Sequence, residues 1–224
     1  MSNNCLIVEG NSDKFFMERL KEEINADFDI SEPICNISEC QCLDGITNLE
    51  NKLKVIKRQI PQKGFEKIGI LIDADNEGIS NRVKLVHDAV KTITNDVEIL
   101  KPNEWYKSEF LDVEISCHIL NINDKGYLEV ILKEIALKEA ISANCLNSWQ
   151  KCLEQHKREL NQADFDKLWL NVYLHYDCFS KKEMGNAKNC NFKNSLNREF
   201  WDFSHPTLND LKNYLSSFNS LKPN

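Results

Sequence analysis

The sequence of 224 residues lacks any uncharged apolar run of the roughly 20 residues that a transmembrane helix needs. Its start, Met1-Ser2-Asn3-Asn4, leads into a short apolar stretch that ends at Glu9, which does not match a secretory signal. The sequence also lacks an excess of positive charge, since its 28 Lys and Arg residues are outnumbered by 35 Asp and Glu residues. Bulk charge therefore does not hold the chain on nucleic acid or on an anionic membrane, and only a local basic groove or a bound metal would do so. We expect a cytoplasmic protein.

No pair of cysteines has the Cys-x-x-Cys spacing, although the chain has nine cysteines. An odd number of scattered cysteines without an export signal predicts reduced, mostly buried thiols rather than a disulfide framework. Two groups leave a zinc site open, although their spacings match no standard zinc motif. These groups are Cys35 with Cys40 and Cys42, and His175 with Cys178 and Cys190.

Short apolar segments alternate with segments of helical periodicity through residues 1–142. Strands are predicted at 5–8, 34–43, 68–72, 97–100 and 115–122, and helices at 12–24, 48–60, 79–93 and from about 127. This alternation predicts an α/β fold with a mostly parallel central sheet and helices on both faces. Residues 143–224 read as a helical C-terminal extension packed on that domain, with helices at 146–160, 163–179 and 208–218 and a polar loop at 180–194.

Acidic residues cluster beside three of the seven glycines, at junctions where predicted strands give way to helices. The three segments are Val8-Glu9-Gly10-Asn11-Ser12-Asp13, Ile72-Asp73-Ala74-Asp75-Asn76-Glu77-Gly78 and Asn123-Asp124-Lys125-Gly126-Tyr127-Leu128-Glu129. In an open α/β sheet, the carboxyl ends of the strands carry the ligand site. Like charges gathered there repel one another unless a cation neutralises them, and hard divalent cations take oxygen ligands. The residues therefore predict a Mg²⁺ site.

The first two junctions resemble the Toprim domain shared by topoisomerases, DnaG-type primases and OLD-family nucleases. The hallmark of that domain is Glu-Gly after the first strand, here Glu9-Gly10, and Asp-x-Asp after a later strand, here Asp73-Ala74-Asp75. Lys125-Gly126-Tyr127-Leu128-Glu129 and the later segment Phe200-Trp201-Asp202-Phe203-Ser204-His205-Pro206 are similar to a compact OLD-like branch without an ATPase domain. The chain likewise has no Gly-x-x-x-x-Gly-Lys-Ser/Thr phosphate loop.

That resemblance implies a Toprim-like, Rossmannoid fold and a metal-dependent nuclease that cleaves phosphodiester bonds, with DNA as the first expected substrate. It implies that one or two Mg²⁺ or Mn²⁺ ions are held by carboxylates and that Glu9 and Lys125 are catalytic. It leaves open a homodimer and a separate ATPase or other partner chain. The metal ligands it implies are Glu9, Asp13, Asp73, Asp75 and Glu129.

Two other functions remain open. A Toprim-like module that binds a metal or a partner without cleaving would have the same acidic residues. A haloacid-dehalogenase-type phosphatase also has Asp-x-Asp after a strand, but usually near its N-terminus and followed by Thr or Val, whereas Asn76 and Glu77 follow here.

Local charge allows contact with nucleic acid. Residues 52–67 contain six basic residues and one acidic residue, and residues 180–198 are also basic. The predicted phosphate contacts are Lys52, Lys54, Lys57 and Arg58. Trp105, Tyr106 and Lys107 lie in a predicted loop, either to stack on a base or as a half-buried cap on the sheet.

Overall fold

The computed structural model describes residues 2–34, 45–184 and 190–219. The described residues form two compact units, one within the ranges 1–128 and 208–224 and the other within the range 129–207. The last helix belongs to the first unit. Within the described residues, no helix combines the length and the apolar character needed to cross a membrane.

The first unit is built on a mostly parallel sheet, which confirms the predicted α/β class. Among the described residues the sheet has five strands in the order β2-β1-β3-β5-β4, and only β4 runs antiparallel to its neighbour. The strands are β1 (Asn4–Val8), β2 (Asp29–Ile30), β3 (Lys67–Asp73), β4 (Tyr106–Ser108) and β5 (Val113–Leu120).

The helices of the first unit follow the predicted periodicity. Three of them come early in the chain and one comes last: α1 (Asn11–Ile24), α2 (Gly45–Lys63), α3 (Gly78–Lys91) and α10 (Asn209–Ser216). The second unit is helical: α4 (Leu128–Glu134), which begins one residue before it, α5 (Ile141–Asn144), α6 (Leu146–Gln155), α7 (Gln162–Val172), a π-helix (Tyr173–Cys178), α8 (Lys181–Met184), α9 (Phe192–Ser195) and a 3₁₀ turn (Pro206–Leu208).

The central strand β3 buries both of its faces, as its continuous apolar sequence predicts. Ile68, Ile70 and Ile72 lie in one buried cluster with residues of α2 and α3. On the opposite face, Gly69 leaves room for the ring of Phe218, just beyond α10, since a Cβ atom at Gly69 would lie 2.3 Å from Phe218 Cζ. This close approach explains why the last helix belongs with the sheet.

Two of the predicted strands differ from the structure. Residues 97–100 are not a strand, because Val97 and Leu100 are buried while Ile99 between them is 73% exposed and none of the three pairs with the sheet. The strand predicted at 34–43 falls outside the described residues except for Ile34, which lies in a bend. The predicted loop at 180–194 contains the short helices α8 and α9 among its described residues.

An aromatic core holds the second unit together. Trp169 stacks on Tyr173 at 5.0 Å between ring centroids, and Tyr173 packs against Trp201 at 5.6 Å. The ammonium group of Lys133 pairs with the buried carboxylate of Asp166 at 2.5 Å and lies over the Trp169 ring.

Candidate functional site

Glu9 and Asp73 meet at the carboxyl edge of the sheet. Strands β1 and β3 pair in parallel with Val8 opposite Leu71, so Glu9 directly follows β1 beside the end of β3. The backbone N–H of Asp73 donates to Glu9 Oε2 at 3.4 Å. Both side chains are half-buried. The parallel register thus brings the first two acidic junctions together.

Asp75, in the second acidic junction, is hydrogen-bonded through its backbone to the third junction. The backbone N–H of Asp75 donates to the Gly126 carbonyl at 2.8 Å, and the Gly126 N–H donates back at 2.9 Å. Asp75 has a φ of 48°, the left-handed conformation that Asp adopts more readily than most residues. Exposed Lys125 therefore lies one residue from the backbone partner of Asp75.

Asp124, which the sequence analysis did not assign as a site residue, caps the start of α3. Its Oδ1 accepts from the Ile79 N–H at 3.0 Å. Gly78 has a φ of 81°, and a Cβ atom there would lie 3.0 Å from Asp124 Oδ2, so a glycine suits both the conformation and the space. The turn-forming sequence Asn-Asp-Lys-Gly was the only signal for this contact.

Asp75 directs its carboxylate to Arg82, one turn into α3. Arg82 Nη2 donates to Asp75 Oδ2, and the two side chains are 17% and 40% exposed respectively. The Nε atom of Arg82 is buried without a hydrogen-bond partner among the described residues. Sequence reasoning missed Arg82, because nothing in a lone basic residue of an amphipathic helix marks it as the partner of an acid seven positions earlier.

Asp13 closes the first turn of α1. Its Oδ2 accepts from the Gly10 N–H at 2.8 Å, and its side chain is buried. The helix begins at Asn11 with Gly10 as its N-cap. Glu129, the remaining predicted metal ligand, is buried in the first turn of α4 and is the first residue of the second unit.

The fit of these residues to a divalent cation is partial. Within the described residues, no three His, Cys, Asp or Glu side chains are placed to share one metal ion. Asp75 Oδ2 accepts a hydrogen bond from Arg82, and Asp13 Oδ2 accepts one from the Gly10 backbone. Glu9, Asp73 and Asp75 carry carboxylate oxygens of the type that Mg²⁺ takes, and one oxygen of Asp75 is already paired with Arg82.

Only one of the two possible zinc-binding groups lies within the described residues. The described residues His175, Cys178 and Cys190 do not form a metal-binding group. The other group, at 35–42, lies outside the described residues.

The four predicted phosphate contacts do not share one face of α2. Lys54 and Arg58 are exposed one turn apart, and Lys54 also lies 3.7 Å from Glu50. Lys57 Nζ donates to the Ile93 carbonyl at 2.7 Å and lies over the Phe110 ring. Lys52 is half-buried, and this burial lowers its pKa.

The aromatic segment 105–107 serves the fold. Trp105 stacks on Tyr214 at 6.1 Å between ring centroids and donates from Nε1 to Ser217 Oγ at 2.8 Å. Tyr106 and Lys107 lie in β4 rather than in a loop, and Lys107 pairs with Asp112 at 2.6 Å. Of the two roles considered for this segment, the structure gives Trp105 that of a half-buried cap.

Fold and site together define an α/β protein with acidic strand ends at the carboxyl edge of a mostly parallel sheet. The chain belongs to the family described as "Protein of unknown function (DUF3226)", whose model matches residues 3–220. No curated protein and no solved structure matches the chain.

Proposed function

We propose that the chain is a Mg²⁺- or Mn²⁺-dependent nuclease of the Toprim, OLD-like type that cleaves phosphodiester bonds, first of all in DNA, in the cytoplasm. The observation that carries this proposal is the contact between Glu9, after β1, and Asp73, at the end of β3. It joins the Glu-Gly and Asp-x-Asp junctions on which the Toprim resemblance rests. A homodimer and a separate ATPase or other partner chain remain compatible with it.

Each residue of the edge has a role in this proposal. Glu9 and Asp73 are the ligands for a first ion, with Asp75 as a third ligand once it leaves Arg82. Bound metal would neutralise charge on the phosphate and supply an activated water. Glu9 also accepts a proton from the attacking water, and exposed Lys125 adds positive charge beside the phosphate. Asp13 supports Glu9 by fixing the Gly10 turn, and Glu129 remains a proposed ligand for a second ion.

Contact with nucleic acid is assigned to the exposed side of α2. Lys54 and Arg58 are the two members of the predicted set whose side chains are exposed, so these two residues are proposed to bind phosphate. Reversing both charges should weaken DNA binding and reduce its dependence on salt, while kcat for bound substrate is unchanged.

Nicking of supercoiled plasmid and of labelled single strands in the presence of Mn²⁺ tests the proposal. We expect cleavage by the wild type, none in EDTA, and a decrease in kcat of about 100-fold or more for Glu9→Gln. Lys125→Ala should lower kcat by a similar factor, about 100-fold. Glu66→Gln is the matched control, because this exposed carboxylate precedes the opposite end of β3. Equal cleavage by wild type and Glu9→Gln would discard the assignment.

A second candidate is a non-catalytic module that binds a metal or a partner. The ion pair between Asp75 and Arg82 favours it, because the pair occupies one of the three carboxylates that a Toprim-like centre requires. This candidate predicts that neither supercoiled plasmid nor single-stranded DNA is cleaved at any Mn²⁺ concentration. It also predicts that Lys125→Ala still binds the metal or the partner.

A further inference from the structure

Arg82 pairs with Asp75, one of the carboxylates that the proposed metal centre would use. Its guanidinium is the cation that neutralises Asp75 in the structure, and Asp75 itself is held by two backbone hydrogen bonds to Gly126. The backbone of Asp75 is therefore fixed, and its carboxylate can pair either with the guanidinium group or with a divalent ion.

The Arg82 guanidinium is incompletely satisfied where it lies. Its Nη2 group bonds to Asp75 Oδ2, but its Nε–H is buried without a hydrogen-bond acceptor among the described residues. A paired Arg and carboxylate usually form two parallel hydrogen bonds, and a buried donor without an acceptor is destabilising. The ion pair is thus weaker than a two-bond pair, which makes the guanidinium replaceable.

We propose that Arg82 is the resident counter-ion of Asp75 and that a divalent cation must displace it to use Asp75 as a ligand. This inference rests on the proposed function, because it concerns the same metal centre. It makes Arg82 a positioning residue that sets the metal concentration at which the centre fills. Without metal, the ion pair keeps the carboxylates at this edge from repelling one another.

Calorimetric titration with Mn²⁺ of the purified full chain tests this competition. Removing a competing ion pair worth about 1 kcal/mol should tighten binding roughly five-fold, so Arg82→Gln should bind Mn²⁺ more tightly than the wild type by that factor. Arg82→Lys, which keeps the charge, should lie between the two. Lys84→Gln is the matched control, since it removes one exposed positive charge from the same helix.

A double-mutant cycle separates direct competition from the general effect of charge. In an Asp75→Asn background, Arg82→Gln should change Mn²⁺ affinity no more than Lys84→Gln does, because the carboxylate for which the two cations compete is gone. A five-fold gain that persists in this background would overturn the inference. Circular dichroism of each variant checks its fold, and Arg82→Lys supports the comparison should Arg82→Gln fail to fold.

A direct readout comes from nuclear magnetic resonance of the arginine side chains. The Nε–H signal of Arg82, assigned by its absence in Arg82→Gln, should shift on titration with Mg²⁺, and it should not shift in Asp75→Asn. Equal Mn²⁺ binding by wild type and Arg82→Gln would leave the metal centre standing and overturn the competition. Absence of Mn²⁺ binding in both would overturn the proposed function and, with it, this inference.

Discussion

Gly69 in the middle of β3 lets the last segment of the chain close over the sheet. A Cβ atom at this position would lie 2.3 Å from Phe218 Cζ and 2.6 Å from the Tyr214 hydroxyl, well inside van der Waals contact. Phe218 is fully buried and is held by the rings of Phe28 and Trp105, at 4.8 and 4.9 Å between centroids. The ring cannot swing aside without disturbing both neighbours.

Gly69→Ala should therefore lower the free energy of unfolding by about 3 kcal/mol, the upper end of the usual range for overpacking. Phe218→Ala alone should cost about 3–5 kcal/mol, because it removes a large buried ring. In the double variant the clash with the Phe218 ring is gone and only the contact with the Tyr214 hydroxyl remains. The total loss should therefore fall short of the sum by about 1 kcal/mol.

Urea unfolding measured by reaction of the Cys117 thiol isolates this unit, because Cys117 is fully buried in β5. Gly64→Ala is the control. Gly64 has a φ of 63° and no atom within 4 Å of an added Cβ, so its cost of about 1 kcal/mol is conformational. That cost should be independent of Phe218. A loss below about 0.5 kcal/mol for Gly69→Ala, or strict additivity with Phe218→Ala, would refute the packing argument.

Two further predictions concern buried ionisable groups. Lys133→Met leaves the buried Asp166 without its ammonium partner and should lower the free energy of unfolding by about 2 kcal/mol. Lys151→Met, at an exposed position, should leave the free energy of unfolding unchanged. Equal losses in the two variants would contradict the stabilising role of the ion pair. Burial lowers the pKa of His118 from 6.5 to about 4, so between these values the unfolded chain binds the proton first and stability falls as the pH falls. Urea titrations of wild type and His118→Gln should diverge in that pH range, and parallel curves would contradict this.

The parts of the fold that sequence could predict are those dictated by local pattern. Continuous apolar residues predicted β3, and apolar spacing predicted α3, because burial on two faces or on one stripe leaves a direct trace in the sequence. The strand at 97–100 was predicted wrongly, since buried Val97 and Leu100 imitate the pattern without a pairing partner. Strand β4, only three residues long, carries too little pattern to be recognised.

Contacts between distant residues left no such trace. Periodicity predicted the last helix but not its docking, which depends on Gly69 lying more than 140 residues earlier. The meeting of Glu9 with Asp73 could be anticipated, because parallel strands bring their carboxyl ends to one edge. The ion pair between Asp75 and Arg82 could not be anticipated, because this contact depends on how the turn at Gly78 orients α3 relative to the end of β3.

Asp73 and Asp75 are divided between two neighbours by the residue that separates them. Ala74 is fully buried, and its N–H donates to the Leu120 carbonyl at 2.8 Å, which ties this point of the chain to β5. Asp73 then remains beside Glu9, whereas Asp75 turns into the left-handed conformation and faces α3. The Asp73 carboxylate thus lies at the carboxyl edge of the sheet, and the Asp75 carboxylate pairs with Arg82. A substitution at Arg82 therefore tests the proposed metal centre, because Mn²⁺ affinity and cleavage should both change when the partner of Asp75 is removed.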